Sequence, residues 1–238
     1  MKRKIKRFIR RTIGLKNDTD FYSQGGEDAI LSNIFNYMIP VKNGFYIDIG
    51  AYHPYKHSNT YLLYKAGWTG INVDPRPGSK GLFDSVRKLD KNVEAGIGGS
   101  DGTMTYYIVD ENSTMNSFSK ENLERLNMLT QVKRTEEVPV FTVSSLLKKY
   151  PEVKAVDFMN IDTEGFEMEI LKGIDFNAPT APKVISIEQN NVCSFEDVLH
   201  STANKFLSEK GFSPIAKNII LKDVATVFYA KNEFLLEN

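Results

Sequence analysis

The sequence predicts one α/β domain built on a seven-stranded, mostly parallel sheet that closes with an antiparallel hairpin. Strand and helix signals alternate over most of the chain, the pattern of a doubly wound sheet. The first strand is continuously apolar, as parallel strands covered on both faces are. The last two strands are joined by too few residues for a helical crossover, so they must pair antiparallel. A length of 238 residues fits one core better than two.

The first strand is read at 45–49, ending in Asp48-Ile49-Gly50, and the second at 70–73. A third is expected at 92–97, followed by the turn cluster Gly98-Gly99-Ser100-Asp101-Gly102 and an extra strand at 103–109. Residues 110–136 are polar and weakly periodic and predict a mobile excursion or lid rather than another core layer, so an insertion is placed at about 103–137. Extended structure returns at 138–143, and Ser144 is the expected N-cap of a short helix reaching Tyr150. The fourth core strand is read at 155–161, running into Asp162-Thr163-Glu164-Gly165. A helix then starts near Phe166 and stops before Gly173. The fifth strand at 183–187 closes in Glu188. Ser194 and Asp197 have the spacing of a capping box for one helix reaching toward Gly211. Strands at 212–216 and 224–230 complete the sheet.

Hydrophobic residues at 41% and charged residues at 25% exclude extensive disorder. The single cysteine, Cys193, excludes an intramolecular disulfide and a cysteine-rich zinc site and suits a reducing, cytoplasmic setting. No run of 18 apolar residues and no secretory-type start is present, so neither a membrane span nor a leader is expected. The first sixteen residues hold eight basic groups and no acid, leaving the remainder at minus eight. Residues 1–20 are therefore read as a basic segment and 21–238 as the folded domain. Ile5, Phe8, Ile9 and Ile13 fall at helical spacing within that segment, which allows peripheral contact of residues 1–16 with the inner face of an anionic membrane. A solvated basic terminus is the plainer alternative. Nucleic acid is not an expected partner, because the acidic body would repel phosphates. The sequence does not specify an oligomeric state.

Ligands of open α/β sheets bind beyond the carboxyl ends of the strands. There the first strand delivers Asp48 and Gly50, the second Asp74, the fourth Asp162 and Glu164, and the fifth Glu188 followed by Asn190. A row of acids suits a cationic ligand with a ribose diol, which describes S-adenosylmethionine. Gly50 lets backbone approach closely, Asp74 is placed to accept from ribose hydroxyls, and Asp48 is placed near the methionine end. A dinucleotide would need a Gly-x-Gly-x-x-Gly turn, whereas this turn reads Gly50-Ala51-Tyr52-His53-Pro54-Tyr55, with two tyrosines in the way of a pyrophosphate.

The runs Tyr46-Ile47-Asp48-Ile49-Gly50-Ala51, Ile71-Asn72-Val73-Asp74-Pro75, Asn160-Ile161-Asp162-Thr163-Glu164-Gly165-Phe166-Glu167 and Leu171-Lys172-Gly173 resemble the FkbM family of methyltransferases. Ser23-Gln24-Gly25-Gly26-Glu27-Asp28 is similar to an N-terminal element of one branch. The resemblance implies a Rossmann-like class I methyltransferase fold, for which the closing hairpin is characteristic. It also implies O-methylation, often of a sugar hydroxyl in a nucleotide-sugar, polysaccharide or glycolipid precursor. Gln24 and Asp162 join Asp48, Gly50 and Asp74 in the implied cofactor set. Asp74 stands where many members carry Glu, and Asn160 where Lys is frequent.

Methyl transfer to a hydroxyl needs somewhere for the proton to go. His53, His57 and Glu164 are the candidate bases. Asp162 and Glu188, with Asn190 close behind, resemble the acid sets that hold magnesium in metal-dependent O-methyltransferases, so magnesium or manganese is the candidate metal. Tyr52 and Tyr55 are placed to stack on a sugar face, whereas Trp68, Phe166 and Met168 are expected to pack in the core and His200 to be structural. A nucleotide-sugar oxidoreductase or epimerase is the rival enzyme, and a noncatalytic membrane-associated binding module the rival outside catalysis.

Overall fold

The computed structural model describes residues 20–235, so the basic segment 1–16 and the membrane contact expected of it lie outside the described residues. Ten strands are described in chain order: β1 (Phe45–Ile49), β2 (Thr69–Asp74), β3 (Lys91–Glu94), β4 (Gly96–Ile97), β5 (Gly102–Ile108), β6 (Arg134–Phe141), β7 (Phe158–Ile161), β8 (Val184–Asn190), β9 (Phe212–Leu221) and β10 (Val224–Lys231). Seven of them form the main sheet, in the order β3-β2-β1-β7-β8-β10-β9. The β1–β2, β2–β3, β1–β7 and β7–β8 pairs are parallel, and β10 runs antiparallel to both β8 and β9. This is the class I methyltransferase arrangement expected from the sequence.

Alternation along each strand explains why the apolar runs are continuous. Tyr46, Val184, Phe228 and Ala230 face one core with Leu31, Phe35 and Trp68. Ile47, Ile49, Ile185, Ile187, Val227 and Tyr229 face the other core with Ile170, Leu171, Val198 and Leu207. Successive side chains point to opposite faces, and both faces are covered, so apolar residues are required at either register position. Helix α1 (Glu27–Asn33) and α2 (Tyr61–Lys65) bring Leu31 and Leu63 to the first core. Helix α3 (Ser79–Val86) follows β2.

The third expected strand is in fact two. Ala95 leaves the ladder, its amide bonding the Asp74 carbonyl, and β4 joins a second sheet of order β4-β6-β5. The long strands of that sheet are those expected near 103–109 and 138–143, and the excursion expected between them instead holds a helix and packs Phe118 against the sheet. Here β5 pairs antiparallel with β6, and Tyr106, Ile108 and Val138 bury a small core of their own with Phe118. Between them α4 (Lys120–Arg125) is capped by the Ser119 side chain and buries Leu123 fully. The polar composition of 110–136 hid this because only Phe118, Leu123 and a few other side chains there face inward.

Two further expectations need correction. Thr142, not Ser144, caps α5 (Val143–Lys148) by accepting from the Ser145 amide. Helix α6 (Glu167–Lys172) ends as expected at Gly173, which keeps a right-handed conformation. The expected long helix, however, is α7 (Phe195–His200) and α8 (Thr202–Glu209), broken at Ser201, whose extended backbone lets its hydroxyl cap the second helix. The capping box of Ser194 and Asp197 is present. Trp68 is buried, Phe166 and Met168 pack partly buried against the core, and His200 is exposed beside Glu196.

Gly50 joins sheet to site. Its φ is 78°, and a Cβ there would lie 1.7 Å from the Asp162 carbonyl oxygen at the end of β7. Gly78 has a similar φ of 80° but open space around it. Gly50→Ala is therefore expected to cost on the order of 3 kcal/mol or more, from conformational strain and overlap with backbone that cannot move aside. Gly78→Ala should cost about 1 kcal/mol from strain alone. Urea unfolding of both variants checks the difference, and equal losses would remove the close approach as its cause.

Candidate active site

One cavity spans the carboxyl ends of β1, β2, β7 and β8 and is roofed by the insertion. The turn after β1 is pinned to β2, because the Gly50 and Ala51 amides both donate to the Val73 carbonyl. The Tyr52 amide then donates to Asp74 Oδ2 at 2.9 Å. Asp74 Oδ1 accepts from the Arg76 amide at 3.0 Å and from Arg76 Nε at 3.1 Å. Burial raises the Asp74 pKa, with the Arg76 charge pulling against it. Arg76 thus occupies one oxygen of Asp74, while the other, Oδ2, holds a single donor and keeps a second lone pair.

Asp48 is held from two directions. Thr60 Oγ1 donates to its Oδ2 at 2.6 Å and Asn160 Nδ2 to its Oδ1 at 2.9 Å. Asn160 Oδ1 in turn accepts from Asn59 and from Ser186 on β8. Arg87, fully buried, reaches the same region. Its Nη2 donates to Ser58 and Thr60, its Nε to the Pro54 carbonyl, and its Nη1 to Tyr46 and Asp90. Burial raises the Asp48 pKa, which the Thr60 and Asn160 bonds oppose.

At the far side of the cavity the carboxylates crowd. One oxygen each from Asp162, Glu164 and Glu188 lies within 4.8 Å of the others. Burial, then the Glu188 charge, push Asp162 well above the ordinary carboxylate range. Burial and the charge of Asp162 raise Glu164 to about 8, and burial with the charge of Glu164 raises Glu188 to about 8. Like charges so close in a part-buried site oppose one another's ionisation.

The loop that presents Glu164 is held from both sides. Glu167 Oε1 accepts from the Thr163 amide and hydroxyl and from the Gly165 amide. From the insertion, Ser117 Oγ and Asn122 Nδ2 donate to the Glu164 carbonyl at 2.9 and 2.7 Å. Glu164 itself has a φ of 56°, and Tyr52 and His57, which also border the cavity, have φ values of 53° and 54°. Left-handed backbone at non-glycine residues persists only where surrounding contacts force it, and such residues gather at functional sites.

Of the residues singled out from sequence, Gln24, Asp48, Gly50, Asp74, His57, Asp162, Glu164, Glu188 and Asn190 all border this cavity, and His53 does not. His53 Nδ1 accepts from the Tyr55 and Lys56 amides, which ties it to its own turn. Burial and the nearby Arg76 charge also lower the His53 pKa. Asn190 Oδ1 accepts from Arg125 Nη2 at 3.0 Å, and Glu164 lies with Asp162 and Glu188 in the carboxylate cluster. Tyr52 borders the cavity with Arg76 over its ring, whereas the half-exposed Tyr55 lies outside its lining. Arg76, Arg87, Asn122 and Arg125 escaped sequence reasoning. Arg76 alone had a signal, standing two residues after Asp74.

A mostly parallel sheet in this order, closed by a hairpin, with one cavity at the carboxyl ends of its strands, is a Rossmann-like class I methyltransferase fold. The methyltransferase FkbM domain matches residues 48–214, more than half of the chain, and the chain belongs to that family. This sets aside the nucleotide-sugar oxidoreductase or epimerase. No curated protein matches the chain. Similar solved structures include a TehB-like SAM-dependent methyltransferase from Corynebacterium glutamicum, with 11% identity, a TM-score of 0.46 and 93% of each chain covered. Another is 1,6-didemethyltoxoflavin-N1-methyltransferase from Burkholderia thailandensis with bound S-adenosylhomocysteine, at 10% identity and TM-score 0.46, covering 94% of this chain and 84% of that one. A third is precorrin-6y C5,15-methyltransferase from Geobacter metallireducens, at 14% identity and TM-score 0.40, covering 86% of each. Among the described residues no helix is long and apolar enough to cross a membrane.

The raised acids make stability depend on pH. A glutamate whose pKa rises on folding from its ordinary 4.5 to about 8 binds its proton more tightly in the native state. Its contribution is complete below the unfolded value and is lost as pH climbs through the folded one. Glu164→Gln mimics the protonated acid, so the variant should melt several degrees above wild type at pH 8.5 and close to it at pH 5. Thermal melts at the two pH values decide this, and a constant offset would contradict the assigned burial.

Proposed function

We propose that this methyltransferase acts on oxygen, methylating a sugar hydroxyl of a nucleotide-sugar, polysaccharide or glycolipid precursor, with Glu164 as the proton acceptor. The observation that carries the reading is the Glu164 carboxylate itself. It borders the cavity, its backbone is clamped from two elements, and burial lifts its pKa to about 8. A base of that strength is better matched to a hydroxyl proton than an ordinary carboxylate.

S-adenosylmethionine supplies an electrophilic methyl group on a sulfonium centre. The acidic rim fits that cation, and Asp48, Gly50, Asp74, Asp162 and Gln24 are the residues that would hold the cofactor. Asp74 would receive a ribose hydroxyl on the remaining lone pair of Oδ2, while Asp48 shapes the turn through Thr60 and Asn160. Bound there, the cofactor would supply its methyl group to the acceptor oxygen, and Glu164 would take up the hydroxyl proton. Ser113, Thr114 and Asn116 from the insertion give the roof a polar lining suited to a hydroxyl-rich acceptor. His57 borders the cavity and is the second candidate base; His53, outside the lining and bound to its own turn, is the weakest.

A divalent cation is a second reading, favoured by the three carboxylate oxygens of Asp162, Glu164 and Glu188. Oxygen donors of this kind suit magnesium or manganese, and such an ion would lower the acceptor hydroxyl's pKa. Glu164→Gln is expected to lower turnover at least about 100-fold, within the range for general-base loss, while S-adenosylhomocysteine affinity by calorimetry stays within about twofold. Wild-type turnover in that variant would remove Glu164 from the chemistry, and His57→Ala is the variant to follow. Exhaustive chelation separates the two readings: activity lost and restored by magnesium or manganese supports the ion, and unchanged activity supports the side-chain base alone.

A further inference from the structure

Arg125 sits at the mouth of the cavity, on the last turn of α4, where no sequence motif marks it. Its guanidinium is held by uncharged partners, and its charge opposes the rise in the Glu164 pKa. Nε and Nη2 donate to Asn122 Oδ1 at 3.3 and 2.8 Å, and Nη2 donates to Asn190 Oδ1 at 3.0 Å. Both acceptors are uncharged amide oxygens. Among the described residues no ion pair involves Arg125, whereas Arg76, the other arginine bordering the cavity, is paired with Asp74 at 3.1 Å. Among the same residues, Nη1 of Arg125 has no acceptor and keeps its two donors free.

Long exposed side chains lose conformational entropy when immobilised. Here two amides hold one such chain over an open cavity, and Asn122 also clamps the Glu164 carbonyl through its Nδ2. The same amide therefore sets the distance between a fixed cation and the candidate base. A guanidinium held in place with one nitrogen free recognises an oxyanion through a charge-assisted hydrogen bond. Of the two arginines bordering the cavity, Arg125 alone is outside an ion pair among the described residues, which makes it the group that can receive such an anion.

We propose that Arg125 recognises an oxyanion carried by the acceptor, the carboxylate of a uronic acid or a phosphate ester, and so orients the reacting hydroxyl toward Glu164. The inference rests on the carbohydrate reading and narrows it to acidic sugars. Calorimetry on the full chain saturated with S-adenosylhomocysteine, with p-nitrophenyl β-glucuronide, glucose 6-phosphate and p-nitrophenyl β-glucoside as probes, tests it and separates the two anion sources. At least one anionic sugar is expected to bind about tenfold more tightly than the neutral glucoside, as one charge-assisted pair allows. Arg125→Ala should abolish that preference, and Arg125→Lys, which keeps charge but not the fork, should restore part of it. S-adenosylhomocysteine affinity should stay unchanged in both variants, which also serves as the check on folding. Equal binding of neutral and anionic sugars, or a preference that survives Arg125→Ala, would overturn the inference and leave the carbohydrate reading standing. Failure of all three sugars to bind a protein that still takes S-adenosylhomocysteine would overturn both.

Discussion

The buried guanidinium of Arg87 is the constraint on which the site depends. An arginine withdrawn from water must direct its donors at protein acceptors, because an unpaired buried charge costs several kcal/mol. Here the acceptors are the Pro54 carbonyl, Ser58, Thr60, Tyr46 and Asp90. Three of these five lie in the connection that leaves β1. The connection is therefore drawn down onto the sheet, and Thr60, once fixed by Arg87, fixes Asp48. A loop that would otherwise sample many conformations is left with one.

At the cavity this anchoring reappears as backbone strain. Pinning 54–60 while Gly50 and Ala51 stay bonded to β2 leaves few residues to make the turn, and Tyr52 and His57 take left-handed backbone to do so. Glu164, across the cavity, is in the same state for a related reason. The Asp162 carbonyl closes against Gly50, Glu167 ties down the amides on either side, and Ser117 and Asn122 pull on the Glu164 carbonyl. Each unfavourable conformation costs of order 1–3 kcal/mol and is tolerated because the contacts around it over-determine the chain. The fold thus builds both walls of the cavity from backbone held by several contacts at once.

The sheet was legible in the sequence because its determinants are local. Continuous apolar strands, the capping box at Ser194 and Asp197 and the short link before Val224 each announce themselves within a few residues. The acidic rim was legible for the same reason, since strand ends at Asp48, Asp74, Asp162 and Glu188 can be counted off directly. Residues whose meaning lies in distant partners were not legible. Arg87 reads as one more surface arginine after a helix until Thr60 and Asp90 are seen around it. Asn122 and Arg125 sit in a polar stretch with weak periodicity, and only the second sheet brings them to Glu164 and Asn190. His53 shows the converse: near the cofactor turn in sequence, it is turned into its own loop.

The crowding of Asp162, Glu164 and Glu188 is costly in the protein alone, and its persistence needs a physical account. Three acids that repel one another and are partly withdrawn from water lower stability whenever they ionise. On the function proposed above, a sulfonium or a divalent cation would relieve that repulsion, and part of the unfavourable electrostatic energy would return as affinity for a positively charged partner. The raised pKa values of Glu164 and Glu188 express the same repulsion and burial. A site arranged in this way discriminates by charge before it discriminates by shape. A neutral demethylated product would hold the acids less well than its cationic precursor, and the same electrostatics that favour binding would then favour release.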